Sequence, residues 1–139
     1  MKSVFFYGLF MDADLLAEKG LNPSHPRLAQ VTGYGLRIGA RATLEASAGE
    51  RAFGSIMDLG DEELALLYGD TSVADYVPQP LVAIDAEGNS REVTSYLLPM
   101  ERVSGSNPEY ARLLADAAKK VGLPDDYIDE IETWIHGSA

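Results

Sequence analysis

The chain has 139 residues, 46% of them hydrophobic, which is enough for a single domain with a buried core over residues 1–139. Its formal net charge of −11 argues against nucleic acids and anionic membrane surfaces as partners, because both attract clustered Lys and Arg. The absence of cysteine excludes disulfides, thiolate chemistry and cysteine-ligated metals.

The first predicted element is a strand over residues 3–7, which is apolar on both faces and therefore typical of a central strand. A short helix over residues 12–20 follows, with acidic residues in its first turn and a glycine at its end. The turn between them is apolar where a surface turn is normally polar, so we expect it to be buried or to line a cavity.

Asp12 and Asp14 leave too short an apolar stretch for a signal peptide, and no stretch reaches membrane-span length, so we expect a cytoplasmic protein.

The middle of the chain is punctuated by glycines and rich in strand-forming residues. After a loop over residues 22–26, we predict strands over residues 27–33, 36–44 and 52–59. A helix with an acidic start is predicted over residues 61–68. Two further strands, over residues 80–86 and 91–98, are separated by a hairpin-type turn.

The C-terminal third is helical. Asn107 and Pro108 are typical of an N-cap and a first helical position, Gly122 predicts the end of that helix, and Pro124 begins another. Several strands followed by helices predict an α+β fold, a small mixed β-barrel or sheet with flanking helices. Trp134 lies on the apolar stripe of the last helix, where it packs either internally or against a second copy in a homodimer.

Two possible cofactor motifs are weak. The glycine-rich stretch at residues 33–39 resembles a dinucleotide-binding loop, but the residues after it favour a strand where that motif needs a helix. His25 and His136 are isolated and do not form a metal site. These residues therefore predict neither a dinucleotide-binding loop nor a metal site.

The loop after the predicted 61–68 helix carries two candidate bases. Asp70 and Asp75 are carboxylates with aromatic neighbours, and partial desolvation would raise their pKa towards the value that suits a general base. The structural alternative is that both are ordinary turn residues whose side chains bind the local backbone. Spacing alone favours that alternative.

Three stretches, residues 5–12, 54–76 and 107–128, together resemble the gamma-glutamylcyclotransferase-like family in order and spacing. The resemblance implies a small mixed barrel with flanking helices. It also implies an enzyme that releases 5-oxoproline from a gamma-glutamyl amine or peptide, when the α-amine attacks the γ-carbonyl. That reaction requires positioning and proton transfer, and no cofactor.

The resemblance also implies roles for particular residues. The family's catalytic glutamate aligns with Asp70, or with Gly69 if the alignment shifts by one residue, and the residues that follow favour Asp70 as the base. The residues expected to bind substrate are Tyr7, Gly8, Leu9, Phe10, Tyr76 and Tyr96. The first four would offer backbone N–H groups to a carboxylate or oxyanion, while the two tyrosines would line the pocket, unless they are ordinary strand aromatics.

The sequence departs from the family at two positions. Leu9 stands where members usually have Ser or Thr, which leaves only backbone donors there, and Asp70 is one methylene shorter than the usual glutamate. A second function therefore stays open, that of an impaired member that binds a small carboxylate ligand without turnover. The leaving amine also stays open among glutathione, a gamma-glutamyl amino acid and a modified amine.

Overall fold

The computed structural model describes residues 2–69 and 73–135. Within them the strands are β1 (Lys2–Phe6), β2 (Ser24–Ile38), β3 (Ala42–Leu59), β4 (Val77–Asp85) and β5 (Ser90–Leu97). The α-helices are α1 (Ala13–Glu18), α2 (Asp61–Tyr68), α3 (Pro108–Val121) and α4 (Asp125–Thr133). Two short 3-10 turns lie at Leu9–Met11 and Met100–Arg102. None of the helices in these ranges is long and apolar enough to cross a membrane.

The strands form a closed barrel in the order β1-β3-β2-β4-β5. β1 pairs antiparallel with β3 and parallel with β5, so the sheet is mixed and β1 is a central strand. Val4, Phe5 and Phe6 are buried, as the apolar character of both faces of this strand predicts. The predicted α+β fold, a small mixed barrel with flanking helices, is confirmed.

The long hairpin of β2 and β3 differs from its prediction. The predicted strand over residues 36–44 is wrong, because the chain reverses at residues 39–41 and Ile38 pairs with Ala42 across the turn. β2 instead begins at Ser24, inside the predicted 22–26 loop, and a register shift between Thr32 and Tyr34 lets the strand continue past its glycines.

Capping residues in the sequence correctly predict where α2 and α3 begin and end. α2 occupies the predicted 61–68 range, and the Glu63 carboxylate accepts hydrogen bonds from the backbone N–H groups of Gly60 (3.1 Å) and Asn22 (2.6 Å). Asn107 caps α3 by accepting from the Tyr110 N–H (3.0 Å), and α3 ends at Gly122, whose φ of 91° lies in the left-handed region.

The helices cover the barrel through apolar faces. The buried residues of α3 are Ala111, Leu114, Ala115 and Ala118, and those of α4 are Tyr127, Ile128 and Ile131. Tyr127 meets Phe53 of β3 edge-to-face, with ring centroids 5.0 Å apart. Trp134, directly after α4, is half-buried against this core.

Candidate functional site

A cavity of about 250 Å³ opens where β1 ends. Its walls are mostly aromatic and include five of the chain's seven tyrosines. The described residues that line it are Phe5, Phe6, Tyr7, Gly8, Leu9, Phe10, Arg41, Ala42, Tyr68, Val73, Tyr76, Tyr96 and Tyr110. The apolar turn after the first strand therefore lines a cavity, as its composition predicts.

Residues 7–10 form the part of the wall that directly follows β1 and runs into the 3-10 turn. The Gly8 carbonyl accepts a hydrogen bond from the Met11 N–H (3.0 Å), and Asp12 then caps α1 by accepting from the Asp14 N–H (3.0 Å). The Lys120 ammonium of α3 pairs with the Asp12 carboxylate at 2.9 Å. This turn is thus held from its C-terminal side by a helix cap and an ion pair.

Gly8 lies against the Tyr110 hydroxyl of α3. A Cβ atom at position 8 would be 2.7 Å from that oxygen, closer than real Cβ atoms approach other groups. The close approach that requires glycine here is therefore one between the turn and a partly buried helix residue. The spacing of Tyr110 along α3 is that of an apolar stripe, which is equally typical of core packing, so sequence reasoning missed its place in the cavity wall.

The other cavity tyrosines are connected to each other and to the barrel backbone. The Tyr7 hydroxyl donates to the Tyr96 carbonyl oxygen (2.7 Å), and the Tyr76 hydroxyl donates to the Ala42 carbonyl oxygen (2.6 Å). The rings of Tyr68 and Tyr96 stack at a centroid distance of 3.8 Å and an interplanar angle of 12°. These contacts hold the tyrosine side chains of the cavity wall in place without a ligand.

Burial determines the protonation state of these phenols. Desolvation raises the pKa of Tyr76 to about 12 and also raises the pKa values of Tyr7, Tyr68 and Tyr110 above their usual range. All four hydroxyls are therefore protonated at neutral pH. They cannot serve as bases, and the protons of the Tyr7 and Tyr76 hydroxyls are already donated to the carbonyl oxygens of Tyr96 and Ala42.

Arg41 is the charged residue among the described residues of the cavity wall. It lies in the turn between β2 and β3, and its guanidinium binds the Asp75 carboxylate through two hydrogen bonds of 2.7 and 2.8 Å. The guanidinium also lies 5.7 Å from the centre of the Tyr76 ring. Sequence reasoning missed Arg41, since nothing in the pattern around residues 36–44 distinguishes it from other strand residues.

The expectation of a raised pKa is wrong for Asp75. The hydrogen bonds from Arg41 lower the pKa of this carboxyl below its usual value, which outweighs the effect of desolvation. Asp75 is therefore ionised and held in an ion pair, and it is not poised to act as a base. Asp70, the expected general base, lies outside the described residues, while Tyr68 and Val73 on either side of it in the chain line the cavity.

A second, more open hollow of about 390 Å³ adjoins the first. Tyr68 and Tyr96 line both, so the stacked pair is a wall that the two hollows share. The remaining lining residues of the second hollow are Lys2, Asp61, Leu64, Ala65 and Gly69. Among residues 2–69 and 73–135, no group of three or more His, Cys, Asp or Glu side chains is placed to hold a metal ion.

No family model matches this sequence, and no curated protein matches it significantly. Solved structures do match it. A structure described as gamma-glutamyl cyclotransferase superposes with a TM-score of 0.75 at 19% identity, over 94% of this chain and 86% of that one. The chain has the gamma-glutamyl cyclotransferase fold.

Two further structures share this gamma-glutamyl cyclotransferase fold. The uncharacterized protein loc79017 from Homo sapiens matches with a TM-score of 0.76 at 20% identity, over 94% of this chain and 86% of that one. A yeast gamma-glutamyl cyclotransferase specific to glutathione matches with a TM-score of 0.65 at 13% identity, over 97% of this chain and 95% of that one.

Within the gamma-glutamyl cyclotransferase fold, this chain brings together the three stretches on which the sequence resemblance rests. Residues 7–10 come from the first stretch, Tyr68 and Tyr76 from the second, and Tyr110 from the third, and all of them line the same cavity. The six residues expected to bind substrate, Tyr7, Gly8, Leu9, Phe10, Tyr76 and Tyr96, are likewise all in its wall. Their role in binding stays a prediction.

Proposed function

We propose that this protein is an enzyme that releases 5-oxoproline from a gamma-glutamyl amine or peptide. The substrate's own α-amine attacks the γ-carbonyl carbon, a C–N bond closes the five-membered ring, and the C–N bond to the leaving amine breaks. One proton leaves the attacking nitrogen and one proton is delivered to the leaving nitrogen, so the reaction consumes no oxidant, reductant or water.

The observation that carries this proposal is the cavity itself, in a fold shared with gamma-glutamyl cyclotransferases. At about 250 Å³ it is smaller than the roughly 300–1,000 Å³ of sites for drug-sized ligands, which suits a ligand of dipeptide size. Its aromatic wall excludes water, and its fixed shape favours a folded glutamyl group in which amine and carbonyl are in contact. Such positioning is the largest contribution that an enzyme can make to an intramolecular cyclisation.

The wall supplies hydrogen-bond donors for the charge that develops on the γ-carbonyl oxygen. The Tyr110 hydroxyl of α3 is protonated and lies beside Gly8, next to the part of the wall formed by residues 7–10. Preorganised donors in a water-poor site stabilise an oxyanion more strongly than water does. We therefore assign the binding of the substrate's oxygens to residues 7–10, with Tyr76 and Tyr96 as walls.

Proton transfer requires a base, and we propose Asp70 for this role. The carboxylate of Asp75 is occupied by Arg41, which argues against the other acidic candidate of the same loop. Tyr68 and Val73, the nearest described residues to Asp70 along the chain that line the cavity, support the choice.

The test is the Asp70→Asn variant, assayed for 5-oxoproline with a panel of gamma-glutamyl compounds. Loss of the base is expected to lower kcat by about 100-fold or more with an unchanged circular dichroism spectrum. Asp129→Asn, an exposed position on α4, is the matched control and is expected to retain turnover. Full turnover by Asp70→Asn would refute the base assignment, and absence of product from the unaltered protein with every compound would refute the cyclotransferase function.

The second candidate function is binding without turnover. It is favoured by the two departures from the family, Leu9 in place of a hydroxyl residue and an aspartate in place of the glutamate, because a carboxylate displaced by about 1 Å can lower a rate by on the order of 100-fold. Calorimetry with the same gamma-glutamyl compounds separates the two functions. Heat of binding without 5-oxoproline identifies a binding protein, and heat with product identifies the enzyme.

A further inference from the structure

We propose that the Tyr68 hydroxyl donates a hydrogen bond to the γ-carbonyl oxygen of the substrate and stabilises the negative charge that develops there during cyclisation. This inference rests on the proposed function and adds a catalytic residue to it. It is carried by the contacts that orient the Tyr68 ring, by the groups that surround its hydroxyl, and by the lack of a protein partner for that hydroxyl.

Aromatic contacts hold the Tyr68 ring in the cavity wall. The ring stacks on the Tyr96 ring at a centroid distance of 3.8 Å, and it meets the Phe10 ring in an edge-to-face arrangement at 6.2 Å. Phe10 belongs to the turn after β1, to which we assign the substrate's oxygens, so Tyr68 lies next to that turn. Because the ring is held in advance, little entropy is lost when its hydroxyl binds a ligand.

The two hydroxyls of the stacked pair have different surroundings. Desolvation has the largest effect on the pKa of Tyr68, and the other groups that raise it are the phenols of Tyr96, Tyr76 and Tyr110. Tyr76 and Tyr110 line the cavity and not the second hollow. For Tyr96, the group that raises the pKa after desolvation is the Asp61 carboxylate, which lines the second hollow. We infer that the Tyr68 hydroxyl lies on the cavity side of the pair.

The Tyr68 hydroxyl forms no hydrogen bond with residues 2–69 or 73–135, whereas the hydroxyls of Tyr7 and Tyr76 donate to carbonyl oxygens. A phenylalanine at position 68 would keep the ring contacts, and an unpaired hydroxyl in an aromatic wall is unfavourable for the fold. The hydroxyl thus contributes nothing that the described fold requires. Its proton is available to a ligand that enters the cavity.

The surroundings of Tyr68 favour an oxygen that is uncharged when the substrate binds. The rings in contact with Tyr68, those of Phe10 and Tyr96, carry no charge, and a carboxylate that loses its water against uncharged groups is unfavourable. The γ-carbonyl oxygen enters neutral and becomes negative only as the α-amine attacks. Burial keeps the pKa of Tyr68 well above its usual value, so the hydroxyl donates a hydrogen bond and keeps its proton.

The test is Tyr68→Phe, which removes one oxygen atom and keeps both ring contacts. The rate of 5-oxoproline formation is measured in single turnovers, with the protein in excess over a gamma-glutamyl compound that the unaltered protein converts. We expect this rate to fall by roughly 10- to 100-fold, the effect of losing a hydrogen bond to a developing charge. We expect the dissociation constant of the compound to change by less than about threefold, because the bond strengthens only in the transition state.

The midpoint of thermal unfolding separates this role from a structural one. Tyr68→Phe is expected to have a midpoint equal to or above that of the unaltered protein, because it removes an unpaired hydroxyl. The matched control is Tyr127→Phe, which removes the same atom from a buried tyrosine of α4 that lines neither hollow. This control is expected to keep the single-turnover rate of the unaltered protein.

An unchanged rate in Tyr68→Phe would overturn the inference, and so would an equal loss of rate in Tyr127→Phe. Weaker binding at an unchanged rate would also overturn it, because the hydrogen bond would then go to an oxygen whose charge stays constant. A lower thermal midpoint in Tyr68→Phe would overturn it as well, because the hydroxyl would then have a structural partner.

Failure of this inference can be distinguished from failure of the proposed function. If the unaltered protein forms 5-oxoproline and Tyr68→Phe forms it at the same rate, the function stands and the inference fails. If the unaltered protein forms no 5-oxoproline from any gamma-glutamyl compound, the function fails and the inference fails with it.

Discussion

Gly8 illustrates how one position joins the turn after β1 to α3. Its backbone is extended, with φ of −107° and ψ of −156°, and any residue adopts that conformation. What excludes a side chain is the Tyr110 hydroxyl, which occupies the space where a Cβ atom would lie. Tyr110 is partly buried on α3, and its side chain packs against the hydrophobic core.

We expect Gly8→Ala to lower the free energy of unfolding by about 1–3 kcal/mol, the usual effect of adding a methyl group to a packed site. Urea unfolding measures this change. The matched test is the double variant Gly8→Ala with Tyr110→Phe, which removes the oxygen that the new methyl group meets. If Gly8→Ala is as destabilising with Phe at position 110 as with Tyr, the proposed contact is not the reason for glycine.

The cavity residues differ in how far the sequence predicts them. Residues 7–10 could be found because an apolar turn is unusual, and Tyr76 and Tyr96 because of the family resemblance. Tyr68 and Tyr110 could not, because on a helix an aromatic residue at apolar spacing is equally consistent with core packing. One signal was available, namely that a buried tyrosine needs a partner for its hydroxyl where leucine would need none.

At the scale of secondary-structure elements, Asn107 connects α3 to the rest of the site. Its side-chain oxygen accepts a hydrogen bond from the Tyr110 N–H at the start of α3, and its side-chain nitrogen donates to the Ala40 carbonyl oxygen at 3.2 Å. One residue therefore caps the helix that carries Tyr110 and also holds the turn that carries Arg41.

We expect Asn107→Ala to lower the free energy of unfolding by about 1 kcal/mol, because the helix loses its N-cap. For a domain of this size the midpoint of thermal unfolding falls by roughly 4 °C. Asn107→Asp keeps the capping oxygen but loses the donor to Ala40, so we expect it to retain most of the stability. Equal thermal midpoints for Asn107→Ala and the unaltered protein would contradict the capping role.

Elements with local end signals were predicted well, and elements that depend on distant contacts were not. The start of α3 at Pro108 and its end at Gly122 follow from residues within a few positions of each boundary. The reversal at residues 39–41 has only Gly39 as a local signal, and that signal does not distinguish it from Gly33 and Gly35, which lie inside β2. It is stabilised from a distance, where the Ser104 carbonyl oxygen accepts a hydrogen bond from the Ala40 N–H at 2.7 Å and leaves no room for a Cβ atom on Gly39.

At the scale of the whole molecule, ion pairs make stability depend on acid pH. The Arg37 guanidinium lowers the pKa of Glu50 from 4.5 to about 2, and Arg partners also lower the pKa values of Asp75 and Asp85. A carboxyl group whose pKa is lower in the folded state stabilises the fold above its unfolded pKa. That stabilisation is lost as the pH falls through the folded pKa.

We therefore expect the free energy of unfolding to decrease between about pH 4.5 and pH 2, measured by urea unfolding at each pH. Protonation of carboxylates also relieves the repulsion caused by the net charge of −11, which acts in the opposite direction. Glu50→Gln separates the loss of the ion pair from the relief of repulsion, because it removes the Arg37–Glu50 pair but changes the net charge by only one unit. Its stability should depend less steeply on pH in this range, and an equal slope would contradict the role of the Arg37–Glu50 pair.

The overall architecture was predictable because it follows from the order of the elements. The pairing of charged residues at the site was not predictable. Strands followed by helices, together with the three stretches of family resemblance, imply the mixed barrel that the structure has. The pairing of Arg41 with Asp75 joins residues 34 positions apart and requires the closed barrel to bring them together. This ion pair lowers the pKa of Asp75, whereas the sequence analysis expected a raised pKa, because no local pattern indicates the distant partner.

The stacked rings of Tyr68 and Tyr96 have a practical consequence for redesign of the protein. Among residues 2–69 and 73–135, Tyr68 and Tyr96 are the two that line both hollows, so we expect truncation of Tyr96 to alanine to open a connection between spaces of about 250 and 390 Å³. If the cavity binds the proposed substrate, these two side chains are the place at which to enlarge it for bulkier molecules.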